Sequence, residues 1–368
     1  MRVALVHDWL NQRGGAENVL EVLVEMFPQA PIYTSMYWPQ AMPPFYRQWD
    51  IRTSWLDRLP LIKAHHQPFL PFYPLAFQGF DLSDYDLVLS NKSGFCHGVR
   101  TSPSAVHICY CLTPTRYLWN FENYIAREGL GYIARLLVPP LLGPLRSWDL
   151  AAVQRVTAFA AISHEVQERI STFYHRDSTV IHPPVDTGRF QIADEQEDYF
   201  LIVSRLVPYK RIGLAVEACT KLGLPLVVLG EGRDRDRLEA LAGPTVRFLG
   251  WASDVERARY MSRCRAFLFP GREDFGIAPV EAQAAGRPVI AYAAGGALDT
   301  IIEGETGTFF HQPTREALAE ALLQFDEEDY DPKTIRRNAE RFDTAVFKRK
   351  LKEFISCRIA CPHLIGYR

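Results

Sequence analysis

No apolar run in this 368-residue chain is long enough to cross a bilayer: the longest, Ile133–Leu145, falls short of the ~20 residues a spanning helix needs and is interrupted by prolines. Nor does the chain open with the charged region, apolar core and cleavage site of a secretion signal. It begins with a strand-like run, Arg2–His7, and a cytoplasmic protein is expected. Cysteine is scarce and irregularly placed. The seven residues are an odd number, with Cys109-x-Cys111 inside an apolar run and Cys357 and Cys361 near the end, which excludes a disulfide framework. No further Cys or His pair stands at metal-ligand spacing, so no zinc site is expected and the thiols should stay reduced. Charge of one sign is also missing overall: a net −2 with 48% hydrophobic residues describes an ordinary globular protein and excludes whole-chain binding to nucleic acid. The exception is local. From Lys333 to Arg368, ten Lys or Arg face three Asp or Glu, a run that suits a solvated helix face or contact with acidic lipid headgroups.

What the chain does have is short apolar runs at regular intervals: Val3–Val6, Leu87–Leu89, Val106–Tyr110, Ala158–Ile162, Phe200–Val203, Leu226–Leu229, Val246–Leu249, Ala266–Phe269 and Pro288–Ala291. Segments of helical period separate many of them, among them Ala16–Phe27, stopped by Pro28, and Ser163–Tyr174, capped by its own serine. Continuous apolar strands alternating with helices predict parallel sheets covered on both faces. The fold class is therefore α/β, with two Rossmann-like, doubly wound parallel-sheet domains facing a cleft, since 368 residues exceed one core. The seam falls at the proline-bearing Ile181–Phe190, giving an N-terminal domain over 1–187 and a second over 188–344 with five strands. The helical run Lys333–Phe354 fits either domain by spacing alone. Residues 36–80 and 113–150 are rich in proline and aromatics and read less clearly as sheet or helix.

The segment Arg272-Glu-Asp-Phe-Gly-Ile-Ala-Pro-Val-Glu-Ala282 carries the most chemistry. Strand Ala266–Phe269 delivers Glu273 into a loop, Phe275, Gly276 and Ile277 offer amides at a helix start, and Glu281 lies about one turn further in. Carboxylates there can hold hydroxyls while amides hold phosphate, a layout suited to a sugar diphosphate. Upstream, Arg205 and Lys210 follow strand Phe200–Val203, where an open parallel sheet places them at the same ligand crevice. Fixed cations and a helix N-terminus stabilise the charge of a departing diphosphate without a metal. Gly230 and Gly232, Trp251, and Gly295 with Gly296 follow the next strands and are expected near base, ribose or phosphate; each glycine pair also has a plain turn reading. In the first half, Gly14-Gly15, where a helix starts after the first strand, is expected to face the donor, with a plain glycine turn as its other reading, and His7 at that strand's end is a candidate on the acceptor side. His107, on a strand, reads as core, and His65-His66 as surface. Neither Gly14-Gly15 nor Gly230-Glu-Gly232 has the third glycine of a dinucleotide fingerprint, so no nicotinamide cofactor is expected.

These residues resemble glycosyltransferase family four, retaining enzymes of the two-domain GT-B type, over nearly the whole chain. The resemblance rests on Gly14-Gly15-Ala16-Glu17, Thr113-Pro114-x-Arg116-Tyr117, Pro183-Pro184-Val185-Asp186, Arg205 with Lys210, and Glu273 separated from Glu281 by seven residues. It implies that Arg205 and Lys210 bind the donor diphosphate, Glu273 the sugar hydroxyls and Glu281 the ribose, with Phe275, Gly276 and Ile277 giving amides. Thr113 and Arg116 would lie on the acceptor side, and residues after about 345 would cross back to the N-terminal domain. Leu112 stands where relatives carry a His before Thr-Pro, and Asn120 where they often carry Asp.

The function expected is transfer of a hexose, with retention, from a nucleotide sugar to a glycan or lipid-linked hydroxyl in surface polysaccharide synthesis. The resemblance is strongest to bacterial polysaccharide mannosyltransferases, which makes GDP-mannose the first donor. No separate cofactor and no metal are expected. Pro68–Phe80 and Tyr132–Leu145 are apolar and aromatic enough for peripheral membrane contact, or for ordinary core. The alternatives are a non-catalytic sugar-nucleotide binder, for which Leu112 speaks, and an epimerase or hydrolase on the same fold.

Overall fold

The computed structural model describes residues 1–121 and 139–360. The chain divides into two compact units, Met1–His182 with Phe347–Arg368, and Pro183–Val346. The division falls at His182, five residues before the expected seam at 187, because Val185 already pairs with Asp343 of the second unit.

Unit 1 holds a seven-stranded parallel sheet. Its strands are β1 (Val3–His7), β2 (Ile32–Thr34), β3 (Ile51–Thr53), β5 (Leu87–Lys92), β7 (Val106–Cys111), β8 (Ala158–Ala161) and β9 (Ser178–Val180), and a small parallel pair, β4 (Asp81–Leu82) with β6 (Arg100–Thr101), stands apart. The order β3-β2-β1-β5-β7-β8-β9 reverses between β1 and β5. The central strands read as unbroken apolar runs because both faces are covered; every residue of β5 and β7 is buried. Strands β2 and β3 are absent from the sequence expectation, whereas β9 is the strand that the prolines after His182 end. All three are three residues long, and β3 is a half-exposed edge, so no long apolar run marks them.

Helix Gly15–Met26 packs Val19, Leu20, Val22 and Leu23 inward and stops before Pro28. Helix His164–Tyr174 starts where the Ser163 hydroxyl accepts from the Val166 amide at 3.2 Å, which satisfies an N-terminal donor. The stretch Pro68–Phe80 divides. Tyr73, Ala76 and Phe77 are core, whereas Phe72 and Leu75 are exposed. Of Tyr132–Leu145, residues 132–138 lie outside the described residues; beyond them Leu142 is buried and Leu141 exposed.

Unit 2 holds a six-stranded parallel sheet of order β12-β11-β10-β13-β14-β15. The strands are β10 (Phe200–Val203), β11 (Leu226–Leu229), β12 (Val246–Gly250), β13 (Ala266–Phe269), β14 (Val289–Tyr292) and β15 (Gly307–Phe310). The sixth, β15, corrects the expected five. It opens on glycine because a Cβ at Gly307 would lie 2.1 Å from the Val289 carbonyl oxygen, and that glycine hides the strand in the sequence. Phe200, Ile202, Leu226, Val228, Ala266 and Leu268 form the centre of its core.

The run Lys333–Phe354 is two helices, Pro332–Ala339 and Thr344–Ala360. The break is fixed by Asp343, whose carboxylate accepts from the Ala345 amide at 2.8 Å and from the Thr187 hydroxyl at 2.5 Å. Beyond it the second helix joins unit 1, with the Phe347 ring edge-on to Tyr110 at 5.5 Å and Lys348 2.6 Å from Glu25. Among the described residues no helix is long and apolar enough to cross a membrane.

Candidate functional site

In unit 2 the strand order reverses between β10 and β13. Loops leaving the carboxyl ends of two such strands run in opposite directions, which opens a crevice where ligands of open α/β sheets bind. The loop after β10 carries Arg205, Tyr209 and Lys210; the loop after β13 carries Glu273. They meet. Lys210 Nζ forms an ion pair with Glu273 Oε1, both side chains mostly buried, and lies 5.5 Å above the Tyr209 ring. Arg205 is exposed and reaches the Tyr209 hydroxyl at 3.4 Å, so the two cations share one aromatic neighbour.

Behind Glu273, Gly276 takes φ +94° at the start of helix Ile277–Ala284, a conformation that favours glycine, and a Cβ there would meet the Phe269 ring at 2.8 Å. The first amides of this helix have no acceptor within it and aim their positive ends outward. Phe275 is buried against Phe342, with ring centroids 5.6 Å apart, which leaves its backbone, not its ring, at the crevice. Glu281 sits one turn in. Its side chain is nearly buried, and burial pushes its carboxyl above the ordinary range, while the Arg257 guanidinium 3.4 Å away pulls it back down.

The glycines after the other strands have a packing role that the sequence does not reveal. A Cβ at Gly230 would fall 1.9 Å from the Ser204 carbonyl oxygen, and one at Gly232 would fall 2.2 Å from that of Leu206. Gly295 and Gly296 stand in the same relation to Glu273 and Phe275, at 2.3 Å from the Glu273 oxygen and 2.2 Å from the Phe275 Cα. Both pairs hold the two crevice loops by close backbone approach. The Gly230 and Gly296 amides, expected to meet a ligand, instead donate to the Gly250 and Glu273 carbonyls at 2.7 and 2.9 Å. Replacing Gly296 with Ala should displace the Glu273–Phe275 loop, costing about 1–3 kcal/mol as overpacking does. The expected readout is a lower melting temperature together with weakened nucleotide-sugar binding. Trp251 is 78% exposed after the edge strand β12, two strands from the switch point.

His7, Gly14, Gly15, Thr113 and Arg116 belong to unit 1. Gly14 caps helix Gly15–Met26 in extended backbone, and both glycines are exposed. His7 is not free to face a ligand. The Asn91 amide donates to the Ala16 carbonyl at 2.7 Å, so its second proton goes to His7 Nδ1 at 3.2 Å, and His7 Nε2 then donates to Glu17 at 3.2 Å. With 2% of its surface exposed, His7 ties β1, β5 and the first helix together, which corrects the sequence expectation. His107 is buried on β7 and hydrogen-bonded to Ser90, whereas His65 is exposed and His66 half-buried. Thr113 is buried and its hydroxyl accepts from Arg169 at 3.3 Å; Arg116 opens the short helix Arg116–Trp119 and is half-buried. Leu112 is half-buried, its amide on the Lys92 carbonyl at 2.8 Å, and Asn120 is exposed. Among the described residues no three His, Cys, Asp or Glu side chains converge as metal ligands would.

Residues 186–342, nearly all of unit 2, match the family described as glycosyl transferases group 1. The match lies within unit 2, and unit 1 is outside it. It is 30% identical over 302 residues to a glycogen synthase of Xanthomonas campestris, covering 77% of this chain and 60% of that protein. It is 27% identical over 229 residues to an alpha-1,3/1,6-mannosyltransferase of Mus musculus, covering 52% and 55%. The chain spans about half the length of the curated relatives it matches. Among solved structures, the Anabaena protein HepE, crystallised with UDP, superposes with a TM-score of 0.72 at 16% identity, over 97% of this chain and all of that one. The fold of the chain is GT-B.

Two residues of the candidate site went unnoticed in the sequence. Tyr209 joins the cations, and its place between Arg205 and Lys210 was the available signal. Arg257 braces Glu281 from a different helix, Asp254–Arg263, and nothing in the spacing points to it.

Proposed function

We propose that the protein transfers a hexose from a nucleotide diphosphate sugar to a hydroxyl, retaining the anomeric configuration. One observation carries this reading: Lys210 and Glu273 pair at the switch point in front of a helix N-terminus, with Glu281 one turn behind. Lys210, Arg205 and the amides at Gly276 hold the diphosphate, Glu273 the sugar hydroxyls and Glu281 the ribose. As the bond from C1 to the phosphate oxygen breaks, its electron pair stays on the phosphate, and the acceptor oxygen bonds to C1 on the same face. The acceptor proton passes to the departing phosphate oxygen, so no protein base is needed. Fixed positive groups stabilise the charge that develops there.

GDP-mannose is the first donor by the resemblance of Thr113–Tyr117 to polysaccharide mannosyltransferases, and the mannosyltransferase relative supports it. The UDP bound by HepE favours a uridine donor instead. A glycan or lipid-linked acceptor in surface polysaccharide synthesis, met by a cytoplasmic protein at a membrane face, completes the reading. Thermal shift against GDP-mannose, UDP-glucose and ADP-glucose decides the donor, since a ligand that binds only the folded state raises the melting temperature. Equal responses in the parent, Lys210→Ala and Glu281→Ala would remove the assigned site.

Glu281 adds a pH signature. Loss of a hydrogen bond to a charged group is worth about 1.5–3 kcal/mol, so Glu281→Ala should weaken donor binding by roughly 10- to 100-fold. Because burial raises its carboxyl, affinity should fall on acidification at a pH above the usual Glu value of 4.5. Stability linked to the same group runs the opposite way: it is fully present below the unfolded value and lost as pH rises through the folded one. Donor titrations across that window, compared with Glu281→Gln, check the sign.

A further inference from the structure

Among the fully buried titratable side chains of unit 1, Lys92, His97 and Asp149 form one cluster unused by the chemistry above, each with 0% of its surface exposed. Taking a lysine and an aspartate out of water is costly, and a buried pair of this kind is no economical way to gain stability. Their surroundings show what they hold. Lys92 is the last residue of β5, beside the reversal of strand order between β1 and β5, so it lies at the carboxyl edge where ligands of such sheets bind. Its ammonium donates to the Thr115 hydroxyl at 3.0 Å and to the Thr113 carbonyl at 3.4 Å, and lies 5.4 Å over the Tyr174 ring. The Thr115 hydroxyl in turn donates to the Gly94 carbonyl at 2.8 Å and stands 3.4 Å from Asp149 Oδ1. The other Asp149 oxygen accepts from Trp119 Nε1 at 2.7 Å. His97 Nε2 lies 3.2 Å from Asp149 Oδ1, and the imidazole ring stacks on Tyr174.

The Lys92 hydrogen bonds and the Asp149–Trp119 bond all end on the segment Thr113–Trp119, which leaves the carboxyl end of β7 next to β5. We propose that Lys92 and Asp149 are positioning residues: a buried cation and anion, with Thr115 seated between them, that clamp the Thr113–Trp119 segment at the ligand edge of the unit 1 sheet. The clamp grips from both ends, Lys92 on Thr113 and Thr115, Asp149 on Trp119. Burial and the Lys92 charge disfavour protonation of His97, which leaves a neutral ring beside the pair. Against burial, the Asp149 charge keeps Lys92 protonated, and the His97 hydrogen bond together with the Lys92 charge keeps Asp149 ionised. The catalytic consequence rests on the transferase reading; the clamp itself does not.

The double variant Lys92→Met with Asp149→Asn tests it, because it removes both charges together and keeps an acceptor for Trp119. Replacing a buried pair as a unit is far better tolerated than breaking it. The variant should melt close to the parent, yet exchange the amides of residues 113–119 at least tenfold faster. Nucleotide release from GDP-mannose or UDP-glucose should fall at least tenfold, with the affinity for that donor changed less than twofold. A charge pair that merely stabilised the core would move melting and leave the local exchange and turnover alone. If the double variant does not fold, Thr115→Val decides, since it keeps the shape and removes the hydroxyl that accepts from Lys92: the same local exchange should rise severalfold. Unchanged exchange at residues 113–119 in a folded variant overturns the clamp. A parent that neither binds nor cleaves any sugar nucleotide overturns the transferase reading instead, and the exchange measurement still judges the clamp.

Discussion

Lys210→Ala should slow nucleotide release from the donor by about 100- to 1,000-fold while leaving the fold intact. Removing one fixed donor of charge stabilisation from a crevice costs about 2.7–4 kcal/mol of barrier. Lys210 fits that description because its ammonium is mostly buried, held by Glu273 and backed by the Tyr209 ring. It needs no reorganisation as charge develops on the phosphate. Arg205 is exposed and held by the Tyr209 hydroxyl, so Arg205→Ala should lose about one order of magnitude less in rate than Lys210→Ala in the same assay. Steady-state release of nucleotide, with circular dichroism to verify folding, separates the two. Equal rates for Lys210→Ala and the parent would end the case for this crevice as the donor site.

The second large effect is on stability. Asp8 follows β1 and is 1% exposed, yet its carboxylate accepts from four consecutive backbone amides, Ser93 and Gly94 at 2.6 Å, Phe95 at 2.7 Å and Cys96 at 2.9 Å. Asp8→Ala would strand those donors in the interior. Each unsatisfied buried group costs about 1–3 kcal/mol, and the losses are not additive, so a total of about 4–6 kcal/mol is expected. For a unit of this size that corresponds to a fall of about 10 °C or more in melting temperature. Asp8→Asn should be little better, since its NH₂ would face amide donors instead of accepting from them. Calorimetry on the full chain is the check. A change below 1 kcal/mol in Asp8→Ala would mean that water or a shifted loop replaces the carboxylate.

The sheets were legible because their central strands are short unbroken apolar runs, as in Phe200–Val203 and Leu226–Leu229, and parallel sheets bury both faces. Strands lacking that signature escaped. Ile51–Thr53 alternates exposure at the margin of its sheet, and Gly307–Phe310 is masked by a glycine that its neighbour strand requires. In the site, Lys210 with Glu273 could be read from strand ends alone, because topology fixes where loops after β10 and β13 go. His7 could not. Whether a histidine at a strand end looks outward depends on partners far along the chain, here Asn91 and Glu17. The buried charges Lys92 and Asp149 lie 57 residues apart in sequence, and no local pattern joins them.

The interlocked glycines have a consequence for how this scaffold can change. Because Gly230, Gly232, Gly295 and Gly296 brace their neighbouring loops through main chain alone, the frame makes few demands on which side chains those loops display. Residues such as Arg205, Tyr209 and Arg272 can be exchanged to suit another sugar or base while the peptide track beneath them keeps its course, so new preferences should be reachable by single substitutions rather than by rebuilding the loops.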